Sequence, residues 1–176
     1  DNLDLTPEEQ IENSYEEHLE GVSTDMLDAI KECSPQFFEH LVLDLLLEMG
    51  YGGPMNTPGE VLGKSHDGGV DGVIKQDKLG FDQIYVQAKR WENSVGRPVI
   101  QKFAGSLDQF KARKGVIITT SSFTREALEY ASAIEKKIVL IDGSRLTRLM
   151  IEHDVGVQPV KNYWIKKLDS DYFDPG

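Results

Sequence analysis

The sequence contains almost no cysteine and no long apolar run. Cys33 is the only cysteine among 176 residues, which excludes an internal disulfide and any metal site built from several cysteines. No apolar stretch approaches the roughly 18 residues that a membrane-spanning helix needs, and the acidic, polar start at Asp1 lacks the pattern of a signal peptide. We therefore expect a cytoplasmic protein with a packed core and no membrane partner.

Two groups of catalytic and ligand-binding motifs are also missing. Neither the G-x-G-x-x-G pattern of dinucleotide-binding proteins nor the P-loop pattern occurs, so no nucleotide cofactor is expected. Ser121 and Ser122 follow an apolar run but do not lie in a G-x-S-x-G pattern. These absences argue against an NTPase, a dehydrogenase and a serine hydrolase.

Positive charge is scarce, because the formal net charge is -11, and this argues at first against a polyanionic partner. Eleven of the acids, however, lie in residues 1–32, which contain a single base, Lys31. Residues 33–168 contain eighteen bases and sixteen acids. We therefore predict three parts: an acidic helical arm or linker (1–33), a mildly basic central domain (34–168) and an acidic C-terminal tail (169–176). Because no methionine opens the chain, we also expect a fragment of a longer protein.

Capping residues and apolar periodicity predict an α/β domain. The predicted helices cover approximately residues 6–21, 23–33, 34–50, 98–110, 124–135 and 144–153. The predicted strands cover 60–63, 70–76, 83–89, 115–120, 137–141 and, at an edge, 158–164, with 115–120 and 137–141 buried on both faces. This order indicates a mixed central β-sheet flanked by helices on both faces.

Acidic, amide and basic side chains are expected to meet on the hairpin formed by the second and third strands. Alternate residues of a strand share a face, so Gln87 and Lys89 point to the same side. A short turn around residues 78–80 places Asp71 opposite Gln87 or one residue away. On spacing alone, a surface hairpin with ordinary polar residues explains this pattern at least as well as a functional site.

The chemistry that suits these residues is phosphodiester hydrolysis with a hard cation. The Asp71 carboxylate, the Gln87 side-chain carbonyl and the Ala88 backbone carbonyl are oxygen ligands of the kind that Mg²⁺ takes. Lys89 is placed to orient or deprotonate the attacking water, or to stabilise charge in the transition state.

Two further residues have both a structural and a functional interpretation. Glu39 lies on its predicted helix away from the polar face formed by His40, Asp44 and Glu48, and an inward carboxylate needs a partner. That partner is either a buried base or a metal ion. His66 could contact a phosphate, although a loop histidine without a role is the more common case.

Several residues after the hairpin are candidates for DNA contacts. Arg90 and Arg97 are bases that could follow a phosphate backbone, and Gln101 on the next predicted helix could line the site. Exposed bases are usually only solvated, so this signal is moderate.

Several blocks of the sequence together resemble one known family. The segments SHDGGVDGVI, IYVQAKRW, VGRPVIQKFAGSL, KGVIITTSSFTREALEYA and KIVLIDG occur in this order. They resemble the catalytic domain of Mrr-type restriction endonucleases, a branch of the PD-(D/E)xK nucleases, over about residues 34–157. Because several separate blocks match in order, this resemblance is more specific than any single motif.

The resemblance implies a restriction-endonuclease-like core of α-β-β-β-α-β order. It implies that Asp71 is the first catalytic acid, that Gln87-Ala88-Lys89 is the (D/E)xK element and that Glu39 is the acid on the preceding helix. It further implies Mg²⁺-dependent (or Mn²⁺-dependent) cleavage of methylated double-stranded DNA, with a DNA-binding domain before residue 1. Gln87 departs from the acid of the wider pattern, which lowers the charge of the ligand set.

Two alternatives share the same fold, because fold does not fix substrate. One is a structure-specific nuclease of the Holliday-junction-resolvase type. The other is a catalytically silent DNA-binding or oligomerisation module. Double-strand cleavage usually needs two sites, so a homo-oligomer is expected, and the acidic arm could mediate assembly or mask the site.

Overall fold

A five-stranded mixed sheet lies between two layers of helices in the part of the chain that the structure describes. This computed structural model describes residues 5–52, 60–61, 69–77 and 81–174. The strands lie in the order β1-β2-β3-β4-β5, with antiparallel pairing from β1 to β3 and parallel pairing from β3 to β5. The elements in chain order are α1 (Pro7–Glu32), α2 (Pro35–Glu48), β1 (Glu60–Val61), β2 (Gly72–Lys75), β3 (Gln83–Lys89), α3 (Arg97–Gln109), β4 (Lys114–Thr119), α4 (Arg125–Ala133), β5 (Lys137–Ile141), α5 (Gly143–Glu152) and a short 3-10 helix (Asp171–Phe173).

The helix starts follow the capping residues that the sequence predicts. Thr6 and Glu9 form a capping box, in which each side chain accepts a hydrogen bond from the backbone N–H of the other. Ser34 caps α2, and Thr124 caps α4. The cap of α5 is Asp142, so this helix begins one residue earlier than expected.

The predicted break at Gly21 is wrong, because α1 is one continuous helix. Thr24, near the predicted start of the helix over residues 23–33, donates its hydroxyl hydrogen to the Glu20 carbonyl at 2.9 Å and so remains within the helix. A glycine inside a helix costs only about 1 kcal/mol relative to alanine. The burial of Met26 and Ile30 against the domain outweighs this cost.

Two apolar cores cover the two faces of the sheet, as predicted. The first contains side chains from α1, α2 and α5, with Phe38 and Leu146 among those that are fully buried. The second contains α3 and α4, with Phe103 packed over the sheet. Neighbouring strand residues alternate between these cores, so Val86 enters the first core and Tyr85 the second.

The far edge of the sheet differs from the prediction. Residues 158–164 form no strand and are exposed, so β5 has no neighbour on its outer side among the described residues. Val139 in β5 is 40% exposed, whereas this strand was expected to be buried on both faces. An apolar β-branched run does not distinguish a central strand from an edge strand. The difference depends on whether a second strand pairs with it, and that strand would come from another part of the sequence.

No helix in the described ranges is both long enough and apolar enough to cross a bilayer.

Candidate active site

The β2–β3 hairpin brings Asp71 to the side of β3. Gly72 pairs with Val86 in an antiparallel register, and the Asp71 N–H donates to the Val86 carbonyl at 2.8 Å. The Ala88 N–H in turn donates to Asp71 Oδ2 at 2.7 Å. The predicted register is confirmed, because Asp71 lies across from Gln87 and is held by the backbone of β3. Residues 78–80, where the turn was predicted, lie outside the described residues.

Gln87 is a buried amide with one side-chain atom unsatisfied. The residue is 2% exposed, and its Nε2 donates to the Gly69 carbonyl. This donation fixes the orientation of the amide, because only the nitrogen can donate. Oε1 is buried and has no hydrogen-bond partner among the described residues, although a buried carbonyl oxygen ordinarily has one.

Gly69 is required next to this amide. Its φ is 94°, a value that residues with a side chain rarely adopt. A Cβ at this position would overlap the Gln87 amide. The glycine therefore allows its own carbonyl to approach the Gln87 side chain closely enough to accept the hydrogen bond.

The Asp71 carboxyl has a shifted acidity. Burial raises the pKa of Asp71 above its ordinary value, although the Ala88 N–H and the positive charge of Lys89 both lower it. A raised pKa means that the folded protein makes the ionised carboxylate less favourable than water does. A bound cation would favour that ionised form and so relieve this penalty.

Lys89 follows Gln87 by two residues at the end of β3, and its surroundings hold it in place. Its Nζ lies 5.4 Å from the centroid of the Trp91 ring, within the range of a cation–π contact. Its carbonyl accepts a hydrogen bond from the Thr119 hydroxyl at 2.8 Å, and Thr119 is fully buried. Thr119 was not predicted from the sequence as part of the site, because a threonine carries no catalytic signal by itself.

Glu39 lies on α2 and is half-buried, whereas His40, Asp44 and Glu48 on the same helix are exposed. The predicted position away from the polar face is therefore confirmed. His66 lies outside the described residues, so its predicted contact with DNA stays a prediction.

The other three residues predicted from the sequence to contact DNA have different surroundings. Arg90 is half-buried, and its Nη1 donates to the Lys31 carbonyl at the end of α1, so it also has a structural role. The Arg97 guanidinium lies 4.9 Å from the Tyr130 ring centroid, and Gln101 is exposed on α3. Contacts between these residues and DNA stay a prediction.

The oxygen atoms of the hairpin fit a hard divalent cation. No group of three or more His, Cys, Asp or Glu side chains suited to a metal occurs in the described ranges, so a purely acidic site is not present there. The buried Gln87 Oε1, which has no partner among the described residues, and the carboxylate of Asp71 at the facing position nevertheless supply the neutral and charged oxygen donors that Mg²⁺ takes while it retains waters. Asp71 and Gln87 are therefore the residues that can hold such an ion.

Comparison with known proteins identifies the family. The model of the Mrr catalytic-domain family, described as a restriction endonuclease, matches residues 30–150. The type IV methyl-directed restriction enzyme EcoKMrr of Escherichia coli (strain K12) is 46% identical over 169 residues, which cover 96% of this chain and 55% of that protein. The chain thus spans about half the length of this curated relative.

Solved structures share the fold. The DNA modification-dependent restriction endonuclease AspBHI matches with a TM-score of 0.60 and 18% identity, over 79% of this chain and 36% of that one. The MspJI restriction endonuclease, solved in complex with a 27-mer oligonucleotide, matches with a TM-score of 0.54 and 23% identity, over 73% of this chain and 31% of that one. These likenesses confirm the restriction-endonuclease-like fold predicted from the sequence.

Proposed function

The chain belongs to the restriction endonuclease family of Mrr catalytic domains, and we propose that it cleaves methylated double-stranded DNA with Mg²⁺ or Mn²⁺. Membership of this family makes it a nuclease domain that binds DNA and uses a divalent metal. The proposed preference for methylated DNA is supported by the relative that is 46% identical, because that protein is described as methyl-directed. The choice of Mg²⁺ or Mn²⁺ is supported by the oxygen-only donors of the hairpin.

The observation that carries the proposal is the buried Gln87 Oε1, which has no hydrogen-bond partner among the described residues and belongs to the residue that faces Asp71. A buried oxygen without a donor costs free energy in the folded protein, and the hydrogen bond to Gly69 prevents the amide from turning away. An ion held by this oxygen and by the Asp71 carboxylate removes both the unsatisfied acceptor and the penalty of burying a charge. Glu39 and the Ala88 carbonyl are further ligands in the proposed site.

Each residue of the proposed site has a different role in phosphodiester hydrolysis. A bound divalent cation supplies charge neutralisation at a phosphoryl oxygen and lowers the pKa of bound water. Asp71 and Gln87 hold and orient this centre. The Lys89 ammonium stabilises negative charge that develops on the phosphoryl group, or its neutral amine accepts a proton from the attacking water. Trp91 and Thr119 keep Lys89 and its strand end in position.

The wider context of the site is also part of the proposal. Residues 34–168 are assigned as the catalytic domain, 1–33 as an acidic arm and 169–176 as a tail. The protein acts in the cytoplasm. It acts as a homo-oligomer, because cutting both strands of a duplex needs two active sites. Arg90, Arg97, Gln101 and His66 are assigned weaker contacts with DNA.

A cleavage assay on the full chain tests the proposal. Supercoiled plasmid in methylated and unmethylated form is incubated with Mg²⁺ or Mn²⁺, and nicked and linear products are measured. We expect cleavage of the methylated plasmid and a loss of at least about 100-fold in Lys89→Ala. The matched control is Lys75→Ala, because Lys75 is exposed on the neighbouring strand β2 and should retain full activity.

Three results would contradict the proposal in different ways. Undiminished cleavage by Lys89→Ala would refute the catalytic assignment. Equal cleavage of methylated and unmethylated DNA would refute the substrate. Cleavage restricted to four-way junctions would favour the resolvase alternative instead.

A further inference from the structure

The C-terminal segment, residues 158–168, is unusually apolar for a segment that is exposed along its whole length and packs against no other element of the described residues. Its large side chains are exposed to an extent that coil segments of soluble proteins rarely show. The values are 91% for Val160, 73% for Tyr163, 81% for Trp164, 58% for Ile165 and 75% for Leu168. Burying one such aromatic side chain removes roughly 150–250 Å² from water, so leaving two exposed side by side points to a missing partner.

The N-terminal half of α1 is a second surface without a partner among the described residues. Ile11 is 52% exposed and Tyr15 is 59% exposed, on the same helix face as the buried Met26 and Ile30. A cleft of about 570 Å³ lies between this part of α1 and helix α5. This cleft, called here the α1–α5 cleft, is lined by Tyr15, Glu16, Leu19, Glu20, Ile151 and Glu152, together with Arg148.

The two surfaces are complementary in charge. The C-terminal segment contains three bases, Lys161, Lys166 and Lys167, and no acid. Residues 7–20, the exposed half of α1, contain six acids and no base. The α1–α5 cleft has three acids and the single base Arg148, so a basic, apolar segment suits it.

The C-terminal segment is long enough to cover the exposed half of α1. Residues 7–20 of a helix span about 21 Å, and the eleven residues of the segment span about 36 Å when extended. Burial of Tyr163 and Trp164 in both copies of a symmetric pair removes roughly 800 Å² from water. The aliphatic residues and the opposing helix surface raise the total above the roughly 1,200 Å² at which specific interfaces begin.

We propose that the α1–α5 cleft and the exposed face of α1 bind the C-terminal segment of a second copy of this chain, with the exchange made in both directions. The chain's own C-terminal segment is exposed and does not line its own cleft. Reciprocal exchange of one segment is a common route to a symmetric dimer.

Nucleic acid is a poorer partner for the C-terminal segment than the α1–α5 cleft of a second copy. Val160, Ile165 and Leu168 offer apolar area that a phosphate backbone does not use. Three acids follow within six residues, at positions 169, 171 and 174, and they repel a polyanion. The acidic face of α1 would also remain without a partner if the segment bound DNA.

Sedimentation velocity of the full chain, without DNA or metal, tests the proposal. We expect a species of twice the 19.8 kDa chain mass, and only monomer for a variant that ends at Val157. The pair Glu16→Lys/Glu20→Lys and the pair Lys166→Glu/Lys167→Glu should each weaken dimerisation about tenfold, because each symmetric dimer loses the attraction at two interfaces. Combining the four changes should restore the affinity to within about threefold of wild type.

A matched control separates this attraction from a general effect of charge. Asp25 and Glu32 are exposed on the same helix beyond residues 7–20 and do not line the cleft, so Asp25→Lys/Glu32→Lys should leave the dissociation constant within about twofold. A circular dichroism melt checks that the truncated chain remains folded, since residues 158–174 are exposed throughout.

Several outcomes would overturn the proposal. They are a full chain that is monomeric over the micromolar range, a dimer that survives the truncation, the absence of rescue in the combined variant, and burial of Trp164 fluorescence in a monomer. None of these results depends on nuclease activity, so the proposed cleavage reaction is tested separately by the plasmid assay. Within the proposed function, a monomeric chain would contradict only the homo-oligomer.

Discussion

Replacing Gln87 with glutamate changes a single NH₂ group into an oxygen in a buried position. In the wild-type protein Nε2 donates to the Gly69 carbonyl, whereas a carboxylate has no hydrogen to donate and its oxygen faces that carbonyl. Losing this hydrogen bond and leaving a buried acceptor costs about 1–3 kcal/mol. The negative charge adds to this cost, because Asp71 lies across the hairpin and the residue is only 2% exposed. We expect the free energy of unfolding at pH 8, with chelator, to fall by about 2–4 kcal/mol.

A divalent cation should reverse most of this loss. Two carboxylates bind Mg²⁺ more tightly than one carboxylate and an amide, and binding to the folded state alone stabilises it by about 2.7 kcal/mol at a concentration of 100 times the dissociation constant. The measurement is urea denaturation at increasing Mg²⁺ concentration. Stabilisation by Mg²⁺ should begin at a lower concentration in Gln87→Glu than in wild type.

Gln83→Glu is the matched control, because Gln83 is the exposed glutamine at the other end of β3. The same chemical change there should alter the free energy of unfolding by less than about 0.5 kcal/mol. If Gln87→Glu is as stable as Gln83→Glu in chelator, or if Mg²⁺ stabilises both variants equally, then Gln87 does not lie in a cation site and the reasoning is refuted.

Three further changes probe the same hairpin. Asp71→Asn should lower cleavage at least about 100-fold yet raise the stability of the metal-free protein at neutral pH, because burial raises the pKa of Asp71 and so penalises its ionised form. Urea melts against pH should show this gain disappear as the pH falls below the usual aspartate value of about 3.9, and a gain that persists there would contradict the cause. Gly69→Ala should destabilise the fold by about 1–3 kcal/mol in a thermal melt, through its positive φ and the overlap with Gln87, and should weaken Mg²⁺-dependent stabilisation; an unchanged Mg²⁺ response would show that the amide is not held by Gly69. Thr119→Val removes the buried hydroxyl that donates to the Lys89 carbonyl, and should cost about 1–3 kcal/mol and reduce kcat more than KM; a change in KM alone would assign Thr119 to substrate binding.

Local signals explain which parts of the fold could be predicted. Thr6, Ser34 and Thr124 each cap a helix, because a side-chain oxygen next to the chain's own N–H groups is sufficient for a cap. The hairpin register followed from the period of two and from the length of the turn. Both kinds of signal depend on residues close together in the sequence.

The errors concern features that depend on distant residues. Whether α1 breaks at Gly21 depends on how Met26 and Ile30 pack against the domain, and the sequence of α1 does not contain that information. Similarly, residues 158–164 have the composition of a strand but no strand partner among the described residues. Composition indicates that a segment can pair, whereas its surroundings decide whether it does.

The candidate site also has features that the sequence predicted and features that it did not. Alternation along β3 predicted that Gln87 and Lys89 share a face and lie near Asp71. It did not predict that Gln87 Nε2 has a hydrogen-bond partner while Oε1 has none among the described residues, because that depends on the carbonyl of Gly69, which comes from a different segment. The spacing of Asp71, Gln87 and Lys89 only suggested a metal site. The buried Gln87 Oε1 adds a physical reason for a cation to bind there.

The acidic arm shows how the structure changes a hypothesis drawn from charge alone. Counting charges assigns residues 1–32 as one acidic unit that could be removed to test whether it masks the site. In the structure, Met26 and Ile30 belong to the first core, and Arg90, next to Lys89, donates to the Lys31 carbonyl. Removing the whole unit would therefore open the core and release the strand end that carries Lys89. Six of the eleven acids lie in residues 7–20, before the buried Met26 and Ile30. Removing only that part of the helix would therefore change the charge while these buried contacts and the Lys31 carbonyl remain.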